Sequence, residues 1–206
     1  MECSGSMIPK RVVFCWFGGK EKSPLVKECI ETWHEHLKDY EFIEINESNF
    51  DINYNEFVKG AYDNKKWAFV ADVARLWALY TYGGIYLDTD VKVYKNLDKF
   101  LKYDFFSGFE QPNYPITATM GSTKENKIIK EMLDYYTDKK FEIKDKWLDY
   151  ETNTMIMSNV LGKYIDRTKY EFQQVGNIAI FPKGTFCRKE DNVEQYTEHL
   201  MLGSWI

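Results

Sequence analysis

The stretch GGIYLDTDV, residues 83–91, carries an apolar run into two carboxylates, Asp88 and Asp90, set two residues apart. Along an extended strand residues i and i+2 point to the same face, so the pair projects together. Two like charges in an apolar setting repel, and burying either one unpaired is costly. A hard divalent cation resolves the repulsion. Carboxylate oxygens suit Mg²⁺ or Mn²⁺, which keep open positions for phosphate oxygens. A turn with aspartates in capping or Asx positions is the plainer account, since a bare Asp-x-Asp arises by chance in many chains. Its place after a buried strand that itself follows Gly-Gly favours the cation.

Three further groups could share that chemistry. Asp72 and Arg75 stand three residues apart in Phe69-Val-Ala-Asp-Val-Ala-Arg75, one turn of a helix. An exposed helical ion pair of this kind contributes only a few tenths of a kcal/mol. Here the apolar surroundings argue for burial, where the pair could hold ligand hydroxyls. Trp16 ends an apolar segment beside Gly18-Gly19 and could stack on a flat ring. His199, Ser204 and Trp205 bring an imidazole, a hydroxyl and an indole close together near the end of the chain, although on spacing alone a packed terminal segment is the plainer account.

The elements that must position these groups read as an α/β pattern. Arg11 to Phe17 is β-branched and aromatic and stops at two glycines, a buried strand before a turn. Ser23-Pro24 fits a helix start, with Leu25, Cys29, Ile30, Trp33 and Leu37 at helical spacing. Tyr40 to Ile45 is a second strand. Strand, helix and strand within this length form a crossover unit, which generates a parallel sheet covered by helices. A short helix is expected at Glu56 to Tyr62 and a strong one from Trp67 to Tyr82, ended by Gly83-Gly84. Ile85 to Leu87 then runs straight into the Asp pair, at the carboxyl edge where open α/β sheets bind ligands. Strands are expected at Phe105 to Phe109, Ile116 to Met120 and Ile178 to Phe181, and helices at Glu125 to Tyr136 and Glu151 to Tyr164. The spacing predicts one domain over residues 1–206, with the low-information opening 1–7 outside its core.

Composition narrows the function classes. With 27 basic and 32 acidic residues the net charge is −5 and there is no long basic tract. A nucleic-acid partner, which requires a positive field, is not expected. A single nucleotide remains compatible, because one metal ion can neutralise its few phosphates. Aromatic residues make up 17% of the chain, enough for both a core and a stacking cleft. The four cysteines form no C-x-x-C pair, so neither zinc nor a disulfide framework is expected. The segment Trp67 to Leu87 is broken by Asp72, Arg75 and two glycines and does not read as a membrane span. No signal peptide is evident, and a cytoplasmic location is expected. Neither a G-x-G-x-x-G nor a Walker loop is present.

Taken together, IPKRVVFCWFGG at 8–19, KKWAFVADVARLWALYTYGGIYLDTDV at 65–91 and HLMLGSW at 199–205 resemble bacterial DXD glycosyltransferases of family 32, many of the capsular or surface polysaccharide type. More distantly, they resemble the glucosyltransferase domains of large clostridial toxins. The resemblance implies a GT-A fold: a single Rossmann-like, mostly parallel sheet flanked by helices, binding a UDP-sugar donor with Mn²⁺ or Mg²⁺. By matching position, Trp16, with Phe17 and Gly18 beside it, would meet the nucleobase, and Tyr86 would lie by the nucleoside. Asp72 and Arg75 would hold donor-sugar hydroxyls, with Asn153 a looser candidate for the same task. Asp88 would reach ribose, sugar or metal while Asp90 ligates the metal more directly, His199 would sit near the metal, and Ser204 and Trp205 would close over the diphosphate. Many relatives carry a second histidine where this chain has Leu200. The acceptor implied is a saccharide or a lipid-linked oligosaccharide, reached at the inner face of the membrane through regions outside this chain.

The resemblance implies a retaining transfer of a hexose. Two other readings stay open. A sugar nucleotidyltransferase would also use carboxylate-held Mg²⁺, but it would want a longer basic Gly-rich loop than Gly18-Gly19-Lys20. A non-catalytic carbohydrate-binding module would use the same aromatic richness and be indifferent to UDP and Mn²⁺.

Overall fold

The computed structural model describes residues 7–146 and 150–203. Strand β1 (Arg11–Cys15) is followed by helix α1 (Pro24–His36), β2 (Glu41–Ile45), α2 (Glu56–Asp63) and α3 (Trp67–Tyr82). Next come β3 (Gly84–Leu87), β4 (Val91–Val93), a 3₁₀ turn at Asp98–Phe100, β5 (Phe105–Gln111), β6 (Tyr114–Pro115) and β7 (Thr119–Ser122). The chain continues with α4 (Lys127–Tyr135), α5 (Asn153–Leu161), β8 (Gln173–Val175), β9 (Ile178–Phe181), α6 (Lys183–Phe186) and β10 (Thr197–His199).

Local chemistry explains the ends of these elements. The Ser23 hydroxyl accepts from the Val26 amide at 3.3 Å and Pro24 takes the first helical position, as the sequence leads one to expect. Helix α3 is apolar nearly all round and buried along most of its length, so it belongs inside the domain. Gly83 ends it with φ at +66°, and Arg11 Nη1 donates at 2.8 Å to the Tyr82 carbonyl, satisfying one acceptor of the last turn. Gly84 then lies so close to β1 that a Cβ there would stand 2.6 Å from the Arg11 carbonyl oxygen.

The main sheet has the order β2-β1-β3-β7-β5-β9-β8, with β6 paired to β5. Strands β2, β1, β3, β5 and β9 all run the same way, while β7, wedged between β3 and β5, and β8 at the edge run against them. This is the α/β, mostly parallel arrangement expected. Helices cover both faces. One core holds α3 with Val58 of α2, Ile129 of α4 and Met157 of α5; the other holds Trp33 of α1, Phe100 and Phe186 of α6.

Three departures from the sequence reading bear on the site. Strand β1 stops at Cys15, so Trp16 and Phe17 belong to the exit loop, although the Trp16 amide still bonds the Ile45 carbonyl at 2.9 Å. The strand expected at Ile116 to Met120 begins only at Thr119. The reason lies in the carbonyls of residues 116–118, which go elsewhere: to Ser107 Oγ at 2.6 Å, Arg75 Nη1 at 3.2 Å and the Asp88 amide at 2.9 Å. Finally, β4 and β10 form an unanticipated two-stranded antiparallel ribbon in which His199 pairs with Val91. The Trp33 indole locks this ribbon to α1 by donating to the Val91 carbonyl at 2.7 Å. Among the described residues no helix is long and apolar enough to cross a membrane.

Candidate active site

Asp88 and Asp90 leave β3 at its carboxyl edge, in a turn closed by the Val91 amide bonding the Asp88 carbonyl at 3.0 Å. Their side chains are 13% and 5% exposed. Behind Asp88, Arg75 from α3 lies buried between two acids. Its Nη1 is 3.3 Å from Asp88 Oδ1 and its Nη2 is 3.2 Å from Asp72 Oδ1. The guanidinium also stacks 4.6 Å from the centre of the Tyr86 ring, whose hydroxyl donates to Asp88 Oδ1 at 2.7 Å. Burial works against the Arg75 charge, but Asp88, Tyr86 and Asp72 outweigh it and leave the guanidinium more firmly charged than usual. One oxygen of Asp88 is thereby fixed by the protein, leaving the other for a ligand.

Asp90 is held differently. The register of β10 on β4 brings His199 Nε2 to 3.3 Å from Asp90 Oδ1, and the Leu202 amide donates to Asp90 Oδ2 at 2.9 Å. Burial alone would raise the Asp90 carboxyl, yet the His199 bond and charge carry it below the ordinary range. Burial likewise disfavours imidazolium, and Asp90 and Asp88 more than offset this, so His199 is raised. One ligand atom from each of Asp88, Asp90 and His199 lies within 4.8 Å of the others. Oxygen, oxygen and imidazole nitrogen form a donor set that could hold a divalent cation. His199 Nδ1 is buried with no hydrogen-bond partner among the described residues, an unmet polar group that a ligand could satisfy.

The remaining expected residues fall into two groups. Asn153, at the start of α5, is buried against the Asp72 end, with Nδ2 donating to Tyr136 Oη at 3.0 Å and to the Asp72 carbonyl at 3.4 Å. Its Oδ1 has no partner among the described residues. Burial pushes the Asp72 carboxyl up to about 6; Arg75 opposes this only in part, and the like charge of Asp88 adds to it. Trp16, Phe17 and Gly18 line a separate cavity of about 730 Å³ together with Lys65, Trp67 and Leu202. Leu202 joins the two regions, since its amide is the one bonded to Asp90. The Trp16 indole is fixed by a 2.7 Å bond to the Lys20 carbonyl. Phe17 turns its ring into the core against Phe50. Tyr86, 1% exposed, is placed to orient Asp88 and Arg75 from within. Ser204 and Trp205 lie outside the described residues.

Sequence reasoning missed Trp67, whose indole packs so tightly on Gly18 that a Cβ there would come within 2.6 Å. It also missed Lys65, held at φ +56° where α2 ends. The signal for both was their place in the Lys-Lys-Trp run that leads into α3.

Residues 23–106 match a family profile described as the glycosyltransferase sugar-binding region containing the DXD motif. Among solved structures the chain is similar to "PaToxG Glycosyltransferase", with a TM-score of 0.58, 19% identity, and coverage of 77% of this chain and 70% of that one. It is also similar to a glycosyltransferase involved in the glycosylation of the major capsid of PBCV-1, with a TM-score of 0.51, 13% identity, and coverage of 96% and 95%. At these identities the likeness is one of fold, and the fold is the GT-A arrangement of these structures. No curated protein sequence matches.

Proposed function

We propose that this chain is a metal-dependent, retaining glycosyltransferase that moves a hexose from a UDP-sugar to a saccharide acceptor. Its setting would be capsular or surface polysaccharide synthesis of the family-32 type. The observation that carries the reading is the convergence of Asp88, Asp90 and His199 at the sheet's carboxyl edge, backed by the buried Arg75 and adjoining the Trp16 cavity.

Asp88, Asp90 and His199 would hold the divalent ion, which when bound supplies positive charge to a departing diphosphate. Every other contribution comes from the chain. The Trp16 indole, fixed by Lys20, offers a rigid face for the base. Tyr86 and Arg75 hold one oxygen of Asp88 still, so that the other meets its ligand without reorganisation. Asp72 and the unmatched Asn153 Oδ1 accept from sugar hydroxyls. The Leu202 amide ties the chain's last described turn to Asp90 and thus over the cavity, where closure would exclude water and favour transfer over hydrolysis.

Sugar nucleotides of the UDP, GDP and dTDP series, each assayed for Mn²⁺-dependent hydrolysis, test the reading directly. One UDP-sugar is expected to be cleaved, and Asp90→Ala should abolish that turnover while the circular dichroism spectrum is unchanged. Full activity of Asp90→Ala in tight chelator would refute it.

A further inference from the structure

Glu110 stands outside every contact described so far. Strand β5 runs parallel to β3, so its carboxyl end reaches the same sheet edge as Asp88 and Asp90. Its pairing with β6 shifts register between Phe109 and Gln111, which puts Glu110 at an irregularity of the bulge type. Bulges beside active sites re-aim the side chain they carry. Residues Phe105 to Phe109 are buried, whereas Glu110 is only partly so. Its carboxylate has no hydrogen bond or ion pair among the described residues. Burial raises its carboxyl, and it is close enough to exchange charge interactions with His199, Asp88, Lys183 and Arg188.

The charge balance makes this position informative. Asp88 and Asp90 already match a divalent ion, and Arg75 is committed to Asp88 and Asp72. A third carboxylate against the diphosphate would repel the donor. It is useful only where positive charge develops, and in glycosyl transfer that is the anomeric carbon and ring oxygen of the sugar.

We propose that Glu110 is the carboxylate facing the anomeric centre of the donor, stabilising the oxocarbenium character of the transition state. The assignment rests on the glycosyltransferase reading above. As the anomeric C–O bond breaks, its electron pair leaves with the diphosphate. The acceptor hydroxyl oxygen bonds the anomeric carbon and its proton passes to a diphosphate oxygen. Glu110 forms no bond and supplies charge alone.

The test compares Glu110→Gln with wild type on the sugar nucleotide that wild type hydrolyses fastest, with water as acceptor, alongside calorimetry with Mn²⁺ and UDP. Loss of one such stabilising group typically lowers turnover about 100-fold. The expected result is a kcat lower by about that factor, a UDP dissociation constant unchanged or smaller, and an unchanged melting temperature. Glu110→Asp, which keeps the charge but withdraws it by one methylene, should fall between the two, and this variant decides the matter if Glu110→Gln does not fold. A kcat within threefold of wild type overturns the assignment. So does a loss of kcat that tracks weaker Mn²⁺ or UDP binding, which would mark Glu110 as a metal or structural group. Wild type that neither binds Mn²⁺ with UDP nor hydrolyses any sugar nucleotide refutes the underlying reading, and this assignment with it.

Discussion

Replacing Asp72 with asparagine separates what the buried triad contributes to folding from what it does for a ligand. Among the described residues Asp72 has one ion-pair partner, Arg75 at 3.2 Å, which is shared with Asp88 at 3.3 Å. Burial lifts its carboxyl from 3.8 to about 6. A carboxylate raised on folding binds its proton more tightly in the native state than in the unfolded chain. Its contribution to stability is therefore complete below the unfolded value and lost as pH rises from about 4 through about 6. Roughly two pKa units at about 1.4 kcal/mol each give about 3 kcal/mol. Asparagine carries no charge at any pH. The unfolding free energy of Asp72→Asn relative to wild type should thus improve by about 3 kcal/mol between pH 4 and pH 8. For a domain of this size that is about 6–12 °C in melting temperature at pH 8. Paired thermal or urea denaturation in chelator, with each protein measured at both pH values, isolates the difference from all groups the two share. Donor hydrolysis should fall in the same variant, because Arg75 and the sugar hydroxyls lose a charged acceptor. A stability difference that stays flat with pH would show that Arg75 keeps Asp72 ionised across the range, and the account of the triad would be wrong.

Three other outcomes follow from the structure. Trp16→Ala should weaken UDP binding by about 1–3 kcal/mol, about 5- to 150-fold, while Trp16→Phe keeps most of the affinity; calorimetry reading equal constants for wild type and alanine would exclude base stacking there. Gly84→Ala should cost about 2–4 kcal/mol in urea unfolding, because φ is +122° and the new Cβ would meet the Arg11 carbonyl oxygen at 2.6 Å. Gly19→Ala, with φ +67° but no atom within 4 Å, should lose only about 1–2 kcal/mol.

Much of the framework is written locally. Ser23-Pro24, the apolar period of α3 and the Gly83-Gly84 stop fix elements through capping, side-chain spacing and backbone freedom, all within a few residues of one another. The Asp88/Asp90 pair and the Asp72/Arg75 step are likewise visible as spacing, since a strand repeats every two residues and a helix every three to four. What spacing cannot convey is which distant segment arrives opposite. His199 reaches Asp90 only because β10 pairs with β4 across more than a hundred residues of chain. Residues 116–118 look like strand, yet they surrender their carbonyls to Ser107, Arg75 and Asp88, a choice set by the buried donors needing partners. Glu110 is an unremarkable acid in sequence until a register shift in the β5–β6 hairpin sets it at the carboxyl edge. Local periodicity decides the elements because its interactions lie along the chain. The site was decided by packing, which matches buried polar groups between segments the sequence keeps far apart.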